Sequence, residues 1–325
     1  MRMRKLERLG RDVIQGKQIT RSEAVWLSQQ PLEALCSKAD EIRARVCSNQ
    51  FDICTIINGK SGHCSEDCRF CAQSVHYHTG AKEYALRSEH EIVAQAKQND
   101  AKGVLRYSIV TSGKRLPDGE VDHMCQVIRR IRKETNLSVC VSFGLLEEAQ
   151  YQKLKEAGVT RIHHNLETSR RNFPNLCTTH TFEDKVRAIQ AAQAVGLSVC
   201  SGGIMGLGET WLDRIDLALT LRELGIQSVP VNLLYPIAGT PLEGRKVLSP
   251  EEMCRIVAVY RFILPKAFIR LAGGRGLLVD QGKRCFQSGA NAAISGDMLT
   301  TEGITVESDL RLLQELGYKV GDRNG

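Results

Sequence analysis

Three cysteines stand close together in Gly62-His63-Cys64-Ser65-Glu66-Asp67-Cys68-Arg69-Phe70-Cys71, spaced Cys-x3-Cys-x2-Cys. Thiolates this near one another can hold three corners of a soft-metal site. Zinc asks for a fourth ligand and usually comes with paired Cys-x2-Cys units. A four-iron cluster takes cysteine thiolates as its usual donors. Three local thiolates would leave one iron open to a small molecule. The chain has 12 cysteines in 325 residues. In a chain of this size, metal or redox chemistry accounts for them better than a disulfide framework.

Something must position that triplet. Residues 1–48 read as a helical extension, with Pro31 placed to open a new helix. From residue 51, short aliphatic runs alternate with amphipathic stretches. The pattern predicts strands near 51–57, 105–111, 137–143, 161–166, 197–202, 228–234, 267–272 and 292–294. It predicts helices near 89–101, 119–134, 146–157, 182–195, 209–224, 250–263, 277–288 and 306–316. Alternating βα units predict an α/β fold with a parallel sheet, and eight of them close a (β/α)8 TIM-type barrel. No Pro/Ser-rich linker divides residues 49–325, so they read as one barrel domain with a C-terminal helix. The long segment 58–88 carries the triplet and follows the first strand, at the end where barrels place their active sites.

Side chains alternate faces along a strand. Ser138, Cys140 and Ser142 therefore oppose Val139 and Val141, and Ser198, Cys200 and Gly202 oppose Leu197 and Val199. His163, Asn165 and Glu167 share a face, as do Arg106 and Ser108, and as do Asp52 and Cys54. Arg270 lies between Ile269 and Leu271. The aliphatic faces should pack on helices, leaving the polar ones to point inward. A barrel interior is normally filled by Val, Ile and Leu, so this one implies a wet or cofactor-filled cavity. The bland alternative is that these cysteines are small buried hydrophobes. Three of them on polar faces of different strands, together with an arginine, argue against it.

The triplet, with Phe70 before its last cysteine, resembles the signature of radical S-adenosylmethionine (SAM) enzymes. The resemblance extends from about residue 50 to the C-terminus. It includes Ser61 to Ser74, His164-Asn165-Leu166-Glu167-Thr168-Ser169, Cys200 to Glu209, Asn232 and Gly239-Thr240-Pro241-Leu242. In this order and spacing the set resembles the biotin synthase family. The resemblance implies a [4Fe-4S] cluster on Cys64, Cys68 and Cys71, with SAM on the open iron. It also implies an auxiliary iron–sulfur cluster, of [2Fe-2S] or variant type, as sulfur donor for closing the ring of dethiobiotin. No side chain is implied as catalytic beyond these cofactors, because a saturated C–H bond resists acid–base chemistry.

By the same resemblance Cys140, Cys200 and Arg270 match auxiliary-cluster ligands. The fourth position departs from the family pattern, with Ser108 where a cysteine is usual. Cys54 on the first strand is expected to supply the missing thiolate, with Ser108 as the alternative. Phe70, Asn165, Glu167, Lys185 and Ile204 match SAM-binding positions; Lys185 stands where an arginine is usual and keeps the charge without the bidentate fork. Asn165, Asn232, Thr300 and Thr301 match positions that bind dethiobiotin. His163 reads as a supporting residue. Cys36, Cys47, Cys125, Cys177, Cys254 and Cys285 receive no role, and His76 and His78 read as loop residues.

The net charge of +7 comes from scattered Lys and Arg rather than a basic arm. It suits anionic ligands and an acidic electron donor of flavodoxin or ferredoxin type, and gives little reason to expect nucleic acid. No apolar run reaches membrane-spanning length, and the basic start lacks a secretory apolar stretch. A cytoplasmic homodimer is expected. Another radical SAM enzyme without sulfur insertion, and a non-catalytic metal-binding protein, are the competing readings.

Overall fold

The computed structural model describes residues 2–321. Three helices come first: α1 (Arg2–Ile14), α2 (Arg21–Ser28) and α3 (Leu32–Cys47). Thr20 and Glu23 form a reciprocal capping box at the start of α2. Pro31 is the N-cap residue of α3, one position earlier than its fixed φ would favour.

Then strands and helices alternate. They are β1 (Gln50–Lys60), α4 (Glu89–Ala101), β2 (Arg106–Thr111), α5 (Asp118–Glu134), β3 (Ser138–Ser142), α6 (Glu148–Glu156), β4 (Val159–His163) and α7 (Phe182–Ala194). Next come β5 (Ser198–Cys200), β6 (Gly203–Met205), α8 (Trp211–Glu223), β7 (Ser228–Leu233), α9 (Pro250–Ile263) and β8 (Phe268–Leu271). The described chain ends with α10 (Lys283–Phe286), β9 (Ala292–Ser295), α11 (Val306–Glu315) and β10 (Lys319–Val320). Every strand pairing is parallel, and β1 bonds to both β2 and β9, so eight strands close a TIM-type (β/α)8 barrel. The expected fold is the observed one.

The aliphatic half of each strand does what alternation predicts. Ile53, Ile109, Val141, Ile162, Val199 and Ile269 are all buried in the core between barrel and helices. The N-terminal helices pack on the barrel's outer layer, α3 against α9 and α2 against α8 and α9. Arg261 of α9 is wholly buried. It donates to the carbonyls of Gly289 and Ala267 (2.9 and 2.8 Å) and to Asn291 Oδ1 (2.8 Å), tying α9 to the strand starts.

Some boundaries differ from expectation. The strand expected over 161–166 begins at Val159 and stops at His163, although His164 and Leu166 still donate to the carbonyls of Cys200 and Gly202 before Glu167 takes a left-handed φ of 69°. The strand expected over 197–202 is only β5, which stops at Cys200; Gly202 beyond it lies against the backbone of β7, where a Cβ would meet the Pro230 oxygen at 1.9 Å. The helix expected over 277–288 is only α10, preceded by a 3-10 turn at Arg275–Leu277. Gln281 and Gly282 take φ of 54° and 86°, and Val279 is 98% exposed, so the apolar pattern there does not mark a packed face. Two strands were not foreseen: β6 extends the wall beside β7, and β10 adds to the outer start of β1.

Candidate active site

The barrel encloses one cavity of about 410 Å³ that opens at the carboxyl ends of the strands. The strand registers stack its lining in layers. At the floor Cys54 of β1 pairs with Arg106 of β2. On the next level Ser108 pairs with Cys140, and Cys140 with Arg161; His163 pairs with Cys200. Across the barrel Pro230 pairs with Arg270, and Asn232 lies two residues further along β7. Cys54, Ser108, Cys140, Cys200 and Arg270 all line this same space, as polar-face alternation predicts.

The floor is rich in charge. Arg270 donates from Nη2 to Asp52 Oδ1 (2.7 Å) and from Nη1 to the carbonyls of Asp52 and Ala293 (3.2 and 2.8 Å). Burial pushes Asp52 up, but Arg270, Arg106 and Arg161 together take its carboxyl down to about 2. Burial likewise disfavours the Arg270 cation, yet Asp52 holds it firmly protonated. Arg106 Nε and Arg161 Nη1 are buried without a hydrogen-bond partner. Three guanidinium groups therefore face one carboxylate. Such a chamber would welcome an anionic guest, and a thiolate-ligated iron–sulfur cluster is one.

The floor thiols differ among themselves. Burial pushes Cys54 up to about 12 and raises Cys140. Burial also works against the Cys200 thiolate, but a hydrogen bond and charge from His163, with Arg270 and Arg161, brings it down to about 6. Cys200 is thus the floor thiol readiest to ligate. His163, read from sequence only as a supporting residue, produces that difference. Ser108 hydrogen-bonds Cys140. Arg161 and Asp52 were not singled out as site residues by sequence reasoning, although Asp52 shares the polar face of Cys54.

At the mouth the cysteine loop leaves β1 through Ser61, which bridges to Tyr84. Cys64 N–H donates to the Gln73 carbonyl (3.1 Å), and Cys71 N–H to the Cys68 carbonyl (2.9 Å). Cys64, Phe70 and Cys71 line the cavity. The Cys68 sulfur sits against Cys177 and His180, with the three ligand atoms within 4.8 Å of one another. The loop is stapled to segment 176–180. Asp67 accepts from the Thr178 and Thr179 amides (2.8 and 3.2 Å), and Arg69 N–H donates to the Leu176 carbonyl (2.9 Å). Three thiols in one loop at the cavity rim form a donor set that fits a cluster with one open iron.

Above the floor, Asn165 Oδ1 accepts from Gly202 N–H (3.0 Å), and Asn232 bonds Gly203 O and Gly273 N–H (3.0 and 2.8 Å). Each carboxamide oxygen has two lone pairs and each nitrogen two protons. Both residues are thus fixed in place with hydrogen-bonding capacity left over. Glu167 Oε2 is buried with no partner, and burial raises its carboxyl. It lines the cavity beside Lys185, so it awaits a donor from whatever binds there. Phe70 and Ile204 pack on a small apolar cluster apart from the main core, suited to a flat ring. Thr300 and Thr301 lie on the loop after β9, whose Leu299 carbonyl accepts from Asn58 Nδ2 (2.9 Å). They line the same cavity as Lys185. All the residues expected at the site therefore line one cavity except Cys68, which shares the rim loop but has its sulfur turned to Cys177 and His180.

Residues 60–221 match the Radical SAM superfamily, and residues 230–319 match the Biotin and Thiamin Synthesis associated domain. The fold resembles methylornithine synthase, with a TM-score of 0.84 at 22% identity over 97% of this chain and 98% of the other. At that identity the likeness speaks for the fold alone. Barrel, cysteine loop and superfamily match define a radical SAM enzyme. The chain is 58% identical to the biotin synthase of Brachyspira hyodysenteriae, covering 97% of this chain and 95% of that protein. It is 56% identical to the biotin synthase of Akkermansia muciniphila, covering 95% and 96%. The chain belongs to the biotin synthase family.

Proposed function

We propose that this chain inserts sulfur into dethiobiotin to form biotin, using two iron–sulfur centres at two depths of one barrel. The observation that carries this is the pairing of a thiol set at the rim with a second set on the floor, with Asn165 and Asn232 one layer above that floor. Cys64, Cys68 and Cys71 would hold a [4Fe-4S] cluster. Phe70, Ile204, Asn165, Glu167 and Lys185 would hold SAM. When bound, these groups supply a carbon-centred radical at the rim and a sulfide source at the floor.

The chain's own work is placement. Asn165 and Asn232, locked by backbone bonds, present donor and acceptor to a ureido ring. Thr300 and Thr301 suit a carboxylate tail at the mouth. Glu167, bonded to Asn165 but with Oε2 left unpartnered, would accept from SAM. The arginines of the floor balance the negative charge of a thiolate-ligated cluster, and Asp52 keeps Arg270 from swinging away. The loop that carries Thr300 is tied to Asn58 and would cover a bound substrate.

Cys140, Cys200 and Arg270 form the common part of the auxiliary site, and Cys54 supplies its remaining thiolate. A thiol is the better donor for iron, and Cys54 interacts electrostatically with both Cys140 and Arg270. Ser108 instead serves Cys140 as a hydrogen-bond partner. Iron and sulfide counts on Cys54→Ala and Ser108→Ala decide the matter: loss of the auxiliary cluster from the serine variant alone overturns the Cys54 assignment. In the same proposal residues 1–48 are a helical extension to a barrel domain of residues 49–325, and the enzyme is a cytoplasmic homodimer fed by a flavodoxin- or ferredoxin-type donor. Among the described residues no helix is long and apolar enough to cross a membrane.

Anaerobic reconstitution with SAM, a reductant and dethiobiotin tests the function, reading biotin and 5′-deoxyadenosine together. Both products are expected. 5′-Deoxyadenosine without biotin would instead favour a radical SAM enzyme that inserts no sulfur.

A further inference from the structure

Outside the cavity lining, where the cysteine loop meets segment 176–180, three soft-metal donors converge: Cys68, Cys177 and His180, one ligand atom from each lying within 4.8 Å of the others. Cys177 and His180 are buried. His180 Nδ1 lies 2.6 Å from Glu66 Oε2 and, as its N–H, donates there. That bond leaves the ring's lone pair on Nε2; Cys177 Sγ lies 3.2 Å from Nδ1 and 3.8 Å from Nε2. Two ligands of a tetrahedral ion, one at a Zn–S and one at a Zn–N bond length, stand about 3.5 Å apart. The spacing therefore suits a shared ion. A carboxylate behind a ligating histidine is also the usual support of such sites, because it fixes the tautomer and raises the ring's basicity. Glu66 is itself held by Thr179 Oγ1 (2.9 Å) and Ser65 Oγ (3.0 Å).

We propose that Cys68, Cys177 and His180 form a mononuclear site for a soft divalent cation of the zinc or ferrous class, filled when the rim cluster is absent. Water completes the tetrahedron. Binding takes the cysteines as thiolates, releases to solvent any thiol proton they still hold, and changes no oxidation state. Because Cys68 belongs to both sets, an ion here and a cluster on Cys64, Cys68 and Cys71 exclude each other. That exclusion rests on the cluster reading of the triplet; the site itself does not. The arrangement gives the empty loop a place to hold a first metal ion, and gives a wrong ion a way to block cluster assembly.

The test is anaerobic titration of the full-length, chelator-treated chain with cobalt(II). One equivalent is expected to give thiolate-to-cobalt charge transfer and the intense visible bands of tetrahedral cobalt. Cys177→Ser and His180→Ala are expected to weaken binding by at least about tenfold, while the Cys64→Ala/Cys71→Ala double variant keeps the bands. The opposite pattern, with the bands lost only from the double variant, would place the metal at the triplet and overturn the proposal. Zinc-edge X-ray absorption of the unmodified chain gives a reading independent of variant folding. Two sulfurs plus nitrogen or oxygen support the site, and a three-sulfur shell refutes it. One equivalent of zinc should then slow reconstitution of the rim cluster in the unmodified chain but not in His180→Ala; equal rates in both would refute the shared-ligand claim.

Discussion

The mouth and the floor of this barrel hold thiols in opposite ways. At the floor Cys54, Cys140 and Cys200 hang from alternate strands of one parallel sheet, β1, β3 and β5, so inter-strand hydrogen bonds running through β2 and β4 fix their relative heights. At the mouth Cys64, Cys68 and Cys71 ride on one loop, fixed by its own turns and by the Asp67 staple to segment 176–180. A strand-borne set cannot rearrange without breaking the sheet. A loop-borne set can turn one member elsewhere, as Cys68 does toward Cys177 and His180. The charge differs too: the floor is crowded with guanidinium groups, whereas the mouth mixes Lys185 with Glu167. Rigid and cationic suits a buried anionic sulfur source; pliant and mixed suits a cluster that must admit SAM.

The sharpest way to break this contrast is to remove one thiol from each region. Cys200→Ala should cut biotin formation by more than about a hundredfold while 5′-deoxyadenosine still forms; Cys64→Ala should abolish both products. Equal losses of the two products in both variants would mean that the regions do not divide the chemistry. Next in size is the floor's own charge pair. Asp52→Ala leaves the buried Arg270 without its counter-ion and should destabilise the cluster-free chain by about 3–5 kcal/mol, read from urea midpoints. Asp67→Ala at the mouth removes hydrogen bonds near solvent and should cost only about 1 kcal/mol. A mouth variant as damaging as the floor variant would erase the distinction.

Acid should discriminate in the same sense. The Asp52 carboxyl is lowered from 3.8 to about 2 in the folded chain. Its contribution is therefore complete above about pH 4 and disappears as pH falls through the folded value. The loss is about 2 kcal/mol in the unmodified chain. Stability curves of Asp52→Asn and the unmodified chain, measured from pH 5 downward, should converge by that amount. A glycine pair makes the same comparison in the backbone, with a difference of only about 1 kcal/mol between its members. Gly202→Ala drives a Cβ into the Pro230 oxygen at 1.9 Å and should cost about 2 kcal/mol in thermal unfolding. Gly80→Ala, in the mouth loop with nothing within 4 Å, meets only the penalty of its positive φ, about 1 kcal/mol.

Much of the site could be read from spacing. The alternation of Ser138-Val139-Cys140-Val141-Ser142 sent Cys140 inward and the valines to the helices, because a strand with one face on a packed layer has no other choice. Interior placement of Cys54, Ser108, Cys200 and Arg270 followed in the same way. The helix expected over 277–288 failed for the converse reason. Apolar residues at helical spacing do not make a helix where the backbone must take positive φ, as at Gln281 and Gly282.

What the sequence determined by itself was local and periodic: which segments are strands, which face each side chain takes, and that three thiols share a loop. Contacts between distant segments came only with the closed barrel. Asp52 meets Arg270 across 218 positions, and Glu66 meets His180 across 114. His163 reaches Cys200 only because β4 and β5 lie side by side in register. Such pairings are set by strand order and shear, which no single segment encodes, and they decide which thiol ionises, which arginine stays put and where Cys68 points.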